Sequence, residues 1–143
     1  MNNEFTFSIN FSGLTVRFIL PTSLTLPECF TALMCDDTNN ADAEYRVSLI
    51  DTPLCPEYPF VYDTGDTSIY ETDTGCLRIY DPLTTEDGCQ VACLLSKDGK
   101  NRMFYPASQW ENYRKYWHVT HLLCGEKLLL WQNALLLHSS VVL

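Results

Sequence analysis

Alternating apolar and polar residues dominate the chain from Glu4 to Tyr105 and predict a domain built mainly of β-strands. The pattern is clearest from Glu4 to Phe11, where phenylalanine and isoleucine alternate with threonine, serine and asparagine. One face of such a segment is buried and the other faces solvent, as in a half-buried strand. Ser12-Gly13 supplies a turn and Leu14 to Leu20 returns, so the two segments are predicted to form an antiparallel hairpin.

Further short strands are predicted along the same stretch, separated by segments rich in Gly, Pro, Asp and Asn. Asp98-Gly99 is a strong turn signal and predicts a second hairpin. Leu26 to Met34 is expected to form a short helix, with Thr25 as its cap and Pro27 in its first turn. The predicted strands are 45–50, 60–62, 67–71, 76–80, 88–95 and 102–105.

The end of the chain follows a different pattern. Pro106 begins a helical segment that extends to Trp131 and is rich in aromatic residues. Gln132-Asn133 separates it from residues 134–143, an apolar run of strand length that ends in β-branched residues. A chain of this size can bury a real core. We therefore expect one α+β domain of residues 1–143, with a mostly antiparallel β-sheet (1–105), a carboxy-terminal helix (106–131) and a final apolar strand (134–143).

The most recognisable short motif is Leu136-Leu137-His138-Ser139-Ser140-Val141-Val142, which follows the predicted helix. It resembles the apolar strand Leu-Leu-His-(Ala/Ser/Cys)-Ser-(Ala/Val)-Val of the P-loop phosphotransferases related to HPr kinase/phosphorylase and phosphoenolpyruvate carboxykinase. In that family the phosphate-binding loop Gly-x-x-Gly-x-Gly-Lys-Ser/Thr follows about ten residues later. The present chain ends at Leu143, before any such loop.

The resemblance implies that the chain is the non-catalytic amino-terminal domain of such a phosphotransferase, inactive alone because the phosphate-binding loop is absent. ATP and Mg²⁺ are implied as cofactors of a full-length relative, and none is expected for this chain. His138 would help to hold the divalent metal only if the kinase half were present; without that half it is a polar residue within a strand. The alternative is a freestanding protein-binding or scaffold module, so the question of whether the chain is part of an enzyme is left open.

The charge balance argues against several classes of partner. Eighteen Asp and Glu outnumber nine Lys and Arg, which gives a formal net charge of −9 and disfavours binding to nucleic acid or to an anionic membrane. No apolar run is long enough to cross a bilayer, and Met1 to Glu4 does not resemble the start of a signal peptide. These two features and the odd number of cysteines, seven, predict a cytoplasmic protein with reduced thiols.

Two Asp-Thr-Gly triplets, 63–65 and 73–75, resemble the loops that hold the catalytic carboxylates of aspartic proteases. That chemistry needs two such loops from separate lobes or subunits, placed so that the carboxylates share a proton. Here the triplets lie ten residues apart, and the apolar strand expected after each is missing. Ordinary hairpin turns are the favoured interpretation, and no catalytic residue is predicted.

Metal sites are disfavoured as well. His118, His121 and Cys124 have a spacing that could contribute to a zinc site, but the chain has neither a Cys-x-x-Cys pair nor a zincin motif. Cys89 and Cys93 are expected on one face of a strand, where they act as small hydrophobic residues. The remaining candidate, the acidic loop 36–42, lacks the Gly and Glu that a calcium-binding EF-hand loop requires.

The terminal apolar run predicts self-association. Residues 135–137 and 141–143 provide six large apolar side chains, each worth about 1.5–3 kcal/mol when it is buried. A strand at the end of a chain also offers unpaired backbone groups to another strand. We expect this run to be buried against a second copy of the chain or in a groove of its own domain, and a different protein partner is left open.

Overall fold

Nine strands form one mixed sheet in the computed structural model of the chain, which describes residues 4–11, 13–26, 28–36 and 40–115. The order across the sheet is β3-β1-β2-β4-β9-β8-β7-β6-β5. The strands are β1 (Phe5–Phe11), β2 (Leu14–Leu20), β3 (Met34–Cys35), β4 (Ala43–Ile50), β5 (Phe60–Asp63), β6 (Thr67–Thr72), β7 (Gly75–Tyr80), β8 (Val91–Ser96) and β9 (Lys100–Pro106).

Strand β4 joins the two halves of this sheet. It is parallel to β2 on one side, where Val16 lies opposite Ala43, and parallel to β9 on the other, where Asn101 lies opposite Tyr45. The six other neighbouring pairs are antiparallel. The amino-terminal hairpin and the five-strand meander from β5 to β9 are therefore separate antiparallel units, linked through one central strand.

One face of the sheet forms the main core. Phe7, Phe18 and Tyr45 stack in succession, with ring centroids 5.1 and 5.7 Å apart, in the range where aromatic pairs attract one another. Trp110 lies 5.3 Å from the ring of Tyr105 and closes the core near the end of β9. The other buried residues of this face are Ile9, Val16, Leu20, Ala43, Val47, Cys76, Val91, Cys93, Leu95 and Met103.

The opposite face is polar over β2 and β4 and apolar over β7, β8 and β9. Arg17 forms an ion pair with Glu44 at 3.5 Å, across the β2–β4 boundary. Leu77, Ile79 and Ala92 form a second, smaller core further along the sheet. Because apolar residues face both ways on β7 and β8, this part of the sheet needs a cover on each side.

The connection from β4 to β5, residues 51–59, provides that cover. β4 is in the middle of the sheet and β5 is at its edge, so the connection has to cross β9, β8, β7 and β6. Leu54 packs against the smaller core, and its N–H donates to Oε1 of Gln90 at 2.9 Å. Pro53, Pro56 and Pro59 restrict the backbone of the connection to extended conformations.

Both predicted hairpins are confirmed. β1 pairs with β2 from Phe5–Leu20 to Phe11–Leu14, and β8 pairs with β9 around the Asp98-Gly99 turn. Strands β4 to β7 also coincide with predicted strands to within two residues at each end. The helix predicted at 26–34 is shortened to a single turn, α1 (Glu28–Thr31), because Met34 and Cys35 pair with β1 as strand β3.

The predicted α+β class, with a carboxy-terminal helix leading into an apolar strand, is wrong because the described residues form a mostly-β fold. Their helical structure is limited to α1, α2 (Trp110–Tyr113) and two 3-10 turns at 81–83 and 107–109. Trp110 and Tyr113, two of the aromatic residues in the predicted helical segment, pack on Tyr105 from the single turn α2. The rest of the predicted helical segment 106–131, and the predicted strand 134–143, lie outside the described residues.

Candidate binding surface

The two Asp-Thr-Gly triplets are turns at opposite ends of β6. In the first, Oδ1 of Asp63 accepts the N–H of Gly65 at 2.6 Å, and Oγ1 of Thr64 accepts the N–H of Thr67 at 3.1 Å. Asp73 lies in the turn between β6 and β7. The six residues of β6 span about 20 Å, so the two carboxylates cannot share a proton. The structure therefore supports the turn interpretation.

The two cysteines considered together from the sequence, Cys89 and Cys93, are both buried. Cys93 lies in β8, whereas Cys89 precedes that strand. Burial, followed by the negative charge of the nearby Asp87, raises the pKa of the Cys89 thiol. A thiol that is kept protonated is a poor nucleophile and a poor metal ligand, so this residue has a packing role.

The acidic loop contributes to the fold through Asp42. Its Oδ2 accepts the N–H of Thr15 at 2.8 Å, and its own N–H donates to the Thr15 carbonyl at 2.9 Å. Among the described residues, no group of three or more His, Cys, Asp or Glu side chains is placed to hold a metal ion. The other candidates from the sequence lie outside the described residues; they are His118, His121, Cys124, the conditional metal ligand His138, and the run 134–143.

The most unusual surface in the described part of the chain is the edge formed by β5. All four residues of this strand are exposed, and Phe60, Val61 and Tyr62 retain 58%, 56% and 61% of their accessible area. Among the described residues, β5 is the last strand in the sheet order and pairs only with β6. No described strand pairs with the backbone N–H and C=O groups on its other side, which is an arrangement that favours pairing with another strand.

A groove of about 340 Å³ lies over β7, β8 and β9. One wall is the connection 51–59, which contributes Leu54, Pro56 and Tyr58, and the floor is the smaller core of the sheet, which contributes Leu77, Leu94 and Phe104. Tyr58 is 44% exposed and stands two residues before β5, but β6 separates the floor of the groove from β5. We call β5, with the side that no described strand pairs with, the edge surface.

The segment of the chain that contains β5 is acidic. Residues 47–77 contain six carboxylates and no Lys, Arg or His. All six are exposed to solvent. Two of the cations nearest to this segment in sequence are engaged or part-buried: Arg46 forms an ion pair with Glu4, and Arg78 lies within β7. The carboxylates are Asp51, Glu57, Asp63, Asp66, Glu71 and Asp73.

Sequence reasoning did not identify this surface, although both of its signals were present. Phe60-Val61-Tyr62 was correctly predicted to be a strand, but its three consecutive apolar residues do not say which neighbours it has. A strand of this composition is as suitable for the centre of a sheet as for its edge. The lack of cations between 47 and 77 was visible in the sequence as well, but it indicates a binding surface only in combination with an exposed edge strand.

Comparison of the chain with models of known protein families, with curated proteins and with solved structures gave no match. The function must therefore be argued from the residues themselves. Within the described residues, the helices are all too short and too polar to traverse a lipid bilayer.

Proposed function

We propose that the chain is the non-catalytic amino-terminal domain of a P-loop phosphotransferase resembling HPr kinase/phosphorylase and phosphoenolpyruvate carboxykinase. The observation that supports this proposal is the motif Leu136–Val142, which includes His138. In this interpretation ATP and Mg²⁺ are bound by a segment that follows the motif. The role of the present chain is to precede and support that segment.

The distribution of glycine supports the assignment of a non-catalytic role. A phosphate-binding loop needs several consecutive backbone N–H groups, a Lys and a metal-holding hydroxyl within one short segment. The chain has six glycines, at 13, 65, 75, 88, 99 and 125, and no two of them are close enough for such a loop. Of the glycines that the structure describes, four adopt positive φ, and each belongs to a different turn of the fold.

The reading frame that encodes the chain provides the direct test. We expect Gly-x-x-Gly-x-Gly-Lys-Ser/Thr within about fifteen codons after Leu143, and a stop codon at that point would contradict the proposal. Calorimetry of the 143-residue chain with millimolar ATP and Mg²⁺ should give no heat of binding. A chain extended through the loop should bind, whereas micromolar affinity of the short chain would mean that the nucleotide site has been misplaced.

A second candidate function, a protein-binding module, is favoured by the exposure of β5. Four consecutive exposed residues at an open sheet edge, three of them large and apolar, are uncommon on a monomer surface, where edges are usually shielded. The two functions are compatible, since a domain that precedes a kinase can also bind a partner. They differ in that binding through the edge surface does not depend on any phosphate loop.

Self-association through residues 134–143 is a separate proposal. Light scattering over a range of concentrations should show a larger mass for the full chain than for a version that ends at Asn133. Equal masses, together with equal solubility and stability, would assign no role in assembly to the terminal run.

A further inference from the structure

We propose that the groove over β7, β8 and β9 binds a small organic carboxylate, whose apolar body lies in the groove and whose carboxylate pairs with Arg102. A medium-chain fatty acid, with one hydrocarbon tail and one anionic head, represents this class of ligand. The inference concerns a face of the sheet and not its edge. It goes beyond both candidate functions and depends on neither.

The groove has the size and the lining of a small-molecule site. Its volume of about 340 Å³ lies in the range of about 300–1,000 Å³ that is usual for ligand pockets, which are mostly apolar with a few polar groups at fixed positions. Three side chains of the sheet, Leu77, Leu94 and Phe104, form the floor, and the proline-rich connection forms the wall. A hydrocarbon chain placed between floor and wall is removed from water, which favours its binding.

A row of paired residues across the sheet places Arg102 beside this floor. Leu77 lies opposite Leu94, and Leu94 lies opposite Arg102. Residues directly opposite each other in antiparallel strands point to the same face, with Cβ atoms about 4.5–5.5 Å apart. The Arg102 side chain therefore begins next to the apolar floor and borders the end of the groove that lies over β9.

Arg102 is available to a ligand. It is exposed, and its guanidinium forms no ion pair with any described residue. Two other arginines of this face are already paired, Arg17 with Glu44 and Arg46 with Glu4. Arg46 lies directly opposite Arg102 on the parallel strand β4, so a second positive charge stands near the first. A guanidinium matches a carboxylate well, because it can donate two parallel N–H···O bonds to it.

Glu57 orients the ligand. It is the only carboxylate among the described residues that line the groove, and it stands two residues before Pro59, whose carbonyl accepts the N–H of Glu71 in β6. β6 and β9 are three strand spacings apart, about 14 Å. The end near β6 is therefore negative and the end at Arg102 is positive. An anionic head is repelled by the first end and attracted by the second.

Three probes with the same eight-carbon body test the inference: octanoate, octanol and octylammonium. Each is titrated into the isotope-labelled 143-residue chain below its micelle concentration, and amide shifts in NMR spectra give the dissociation constant. Octanoate should bind about fivefold more tightly than octanol, and octylammonium should bind most weakly. The shifts should centre on residues 54–58, 77, 94 and 102. The preference for octanoate over octanol should largely vanish in about 1 M salt.

Two variants, each with a control, separate the charge from the groove. Arg102→Gln should weaken octanoate about fivefold, to the affinity of octanol, and leave octanol unchanged. Lys115→Gln, the same change in charge at an exposed residue after α2, which packs on the other face of the sheet, should affect neither probe.

Cys55 lines the groove and is exposed, so Cys55→Trp adds bulk to the wall with little risk to the fold. It should weaken octanoate and octanol alike by about tenfold or more, whereas Cys55→Ser, which keeps the size of the side chain, should bind both normally. Unchanged thermal unfolding of the four variants shows that each is folded.

Each contrary result overturns a different part of the inference. Equal binding of octanoate and octanol, abolished by Cys55→Trp, overturns the carboxylate head. A preference for octanoate that persists in Arg102→Gln overturns the role of Arg102, and tightest binding of octylammonium assigns the groove to cations held by Glu57. Binding that is insensitive to Cys55→Trp places the ligand outside the groove. If no probe binds, the inference is wrong, and the two candidate functions are still decided by their own tests.

Discussion

Gly99 is the position at which one added methyl group should most disturb the sheet. It lies in the β8–β9 turn with φ at +78°, and a Cβ there would be 2.6 Å from the carbonyl oxygen of Asp42 and 3.3 Å from the Cα of Ala43. The Gly99 carbonyl also accepts the N–H of Glu44 at 2.7 Å. This turn therefore docks directly on the start of β4, the strand that joins the two halves of the sheet.

The expected cost of Gly99→Ala has two parts. A left-handed backbone costs a residue with a Cβ about 1–2 kcal/mol. The clash adds a penalty of the kind seen on overpacking, about 1–3 kcal/mol, because the atoms that would be met belong to the backbone and cannot rotate away. The sum, about 2–5 kcal/mol, is a large fraction of the 5–15 kcal/mol that typically stabilises a domain.

Gly65→Ala is the matched control. Gly65 has a similar φ of +93° in the β5–β6 turn, but a Cβ there would meet nothing within 4 Å. It should therefore show only the conformational cost of about 1–2 kcal/mol. Urea denaturation of the two variants, followed by circular dichroism, measures the difference. If the two lose the same free energy of unfolding within about 0.5 kcal/mol, the close approach of the turn to β4 contributes nothing and the reasoning is refuted.

Three further predictions concern polar groups that the fold has buried or placed in turns. Thr22→Val should lower the free energy of unfolding by about 1–3 kcal/mol, because Oγ1 of Thr22 accepts the indole N–H of the buried Trp110 at 2.9 Å. Thr22→Ser keeps the hydroxyl acceptor, so it should retain most of this stability in the same urea titration. Asn101→Ala should cost a similar amount, about 1–3 kcal/mol, since its side chain accepts from Ser96 N–H at 2.9 Å and donates to the Gly99 carbonyl at 3.2 Å; an unchanged urea midpoint would contradict this. Hydrogen bonds, chiefly from the Thr85 hydroxyl to Asp87 and from the Lys100 N–H to Asp98, lower the pKa of both carboxyls. Their stabilisation should be complete above the unfolded pKa of about 4 and lost as pH falls through the lower folded pKa, so Asp98→Asn should make the stability less dependent on pH in this range.

The sequence was a reliable guide wherever the structure is local. The β1–β2 hairpin follows from alternation and a glycine turn, and the β8–β9 hairpin follows from Asp98-Gly99, because both depend on residues that are close together in the chain. The prediction from sequence was wrong where a short segment suits both a helix and a strand. Met34 and Cys35 suit a helix as well as a strand, and they became β3 because β1 offered them an edge.

The predicted fold class was wrong for a related reason. Trp110 and Tyr113 have helical spacing, but within the described residues the single turn α2 is enough to place both rings on Tyr105. Periodicity reports which residues share a face, and it does not report how far an element continues. The mostly-β character of the described residues thus depends on contacts with β9 that sequence periodicity does not show.

The sequence by itself determined the described strands other than β3, their turns and the acidic stretch from 47 to 77, since these depend on residue type and local spacing. Only the tertiary structure decided that β4 lies in the centre, that the connection 51–59 crosses the sheet, and that β5 is left at the edge. The physical reason is that sheet order depends on backbone hydrogen bonds between distant segments. Every residue except proline can form those bonds, so the composition of a strand does not identify its neighbours.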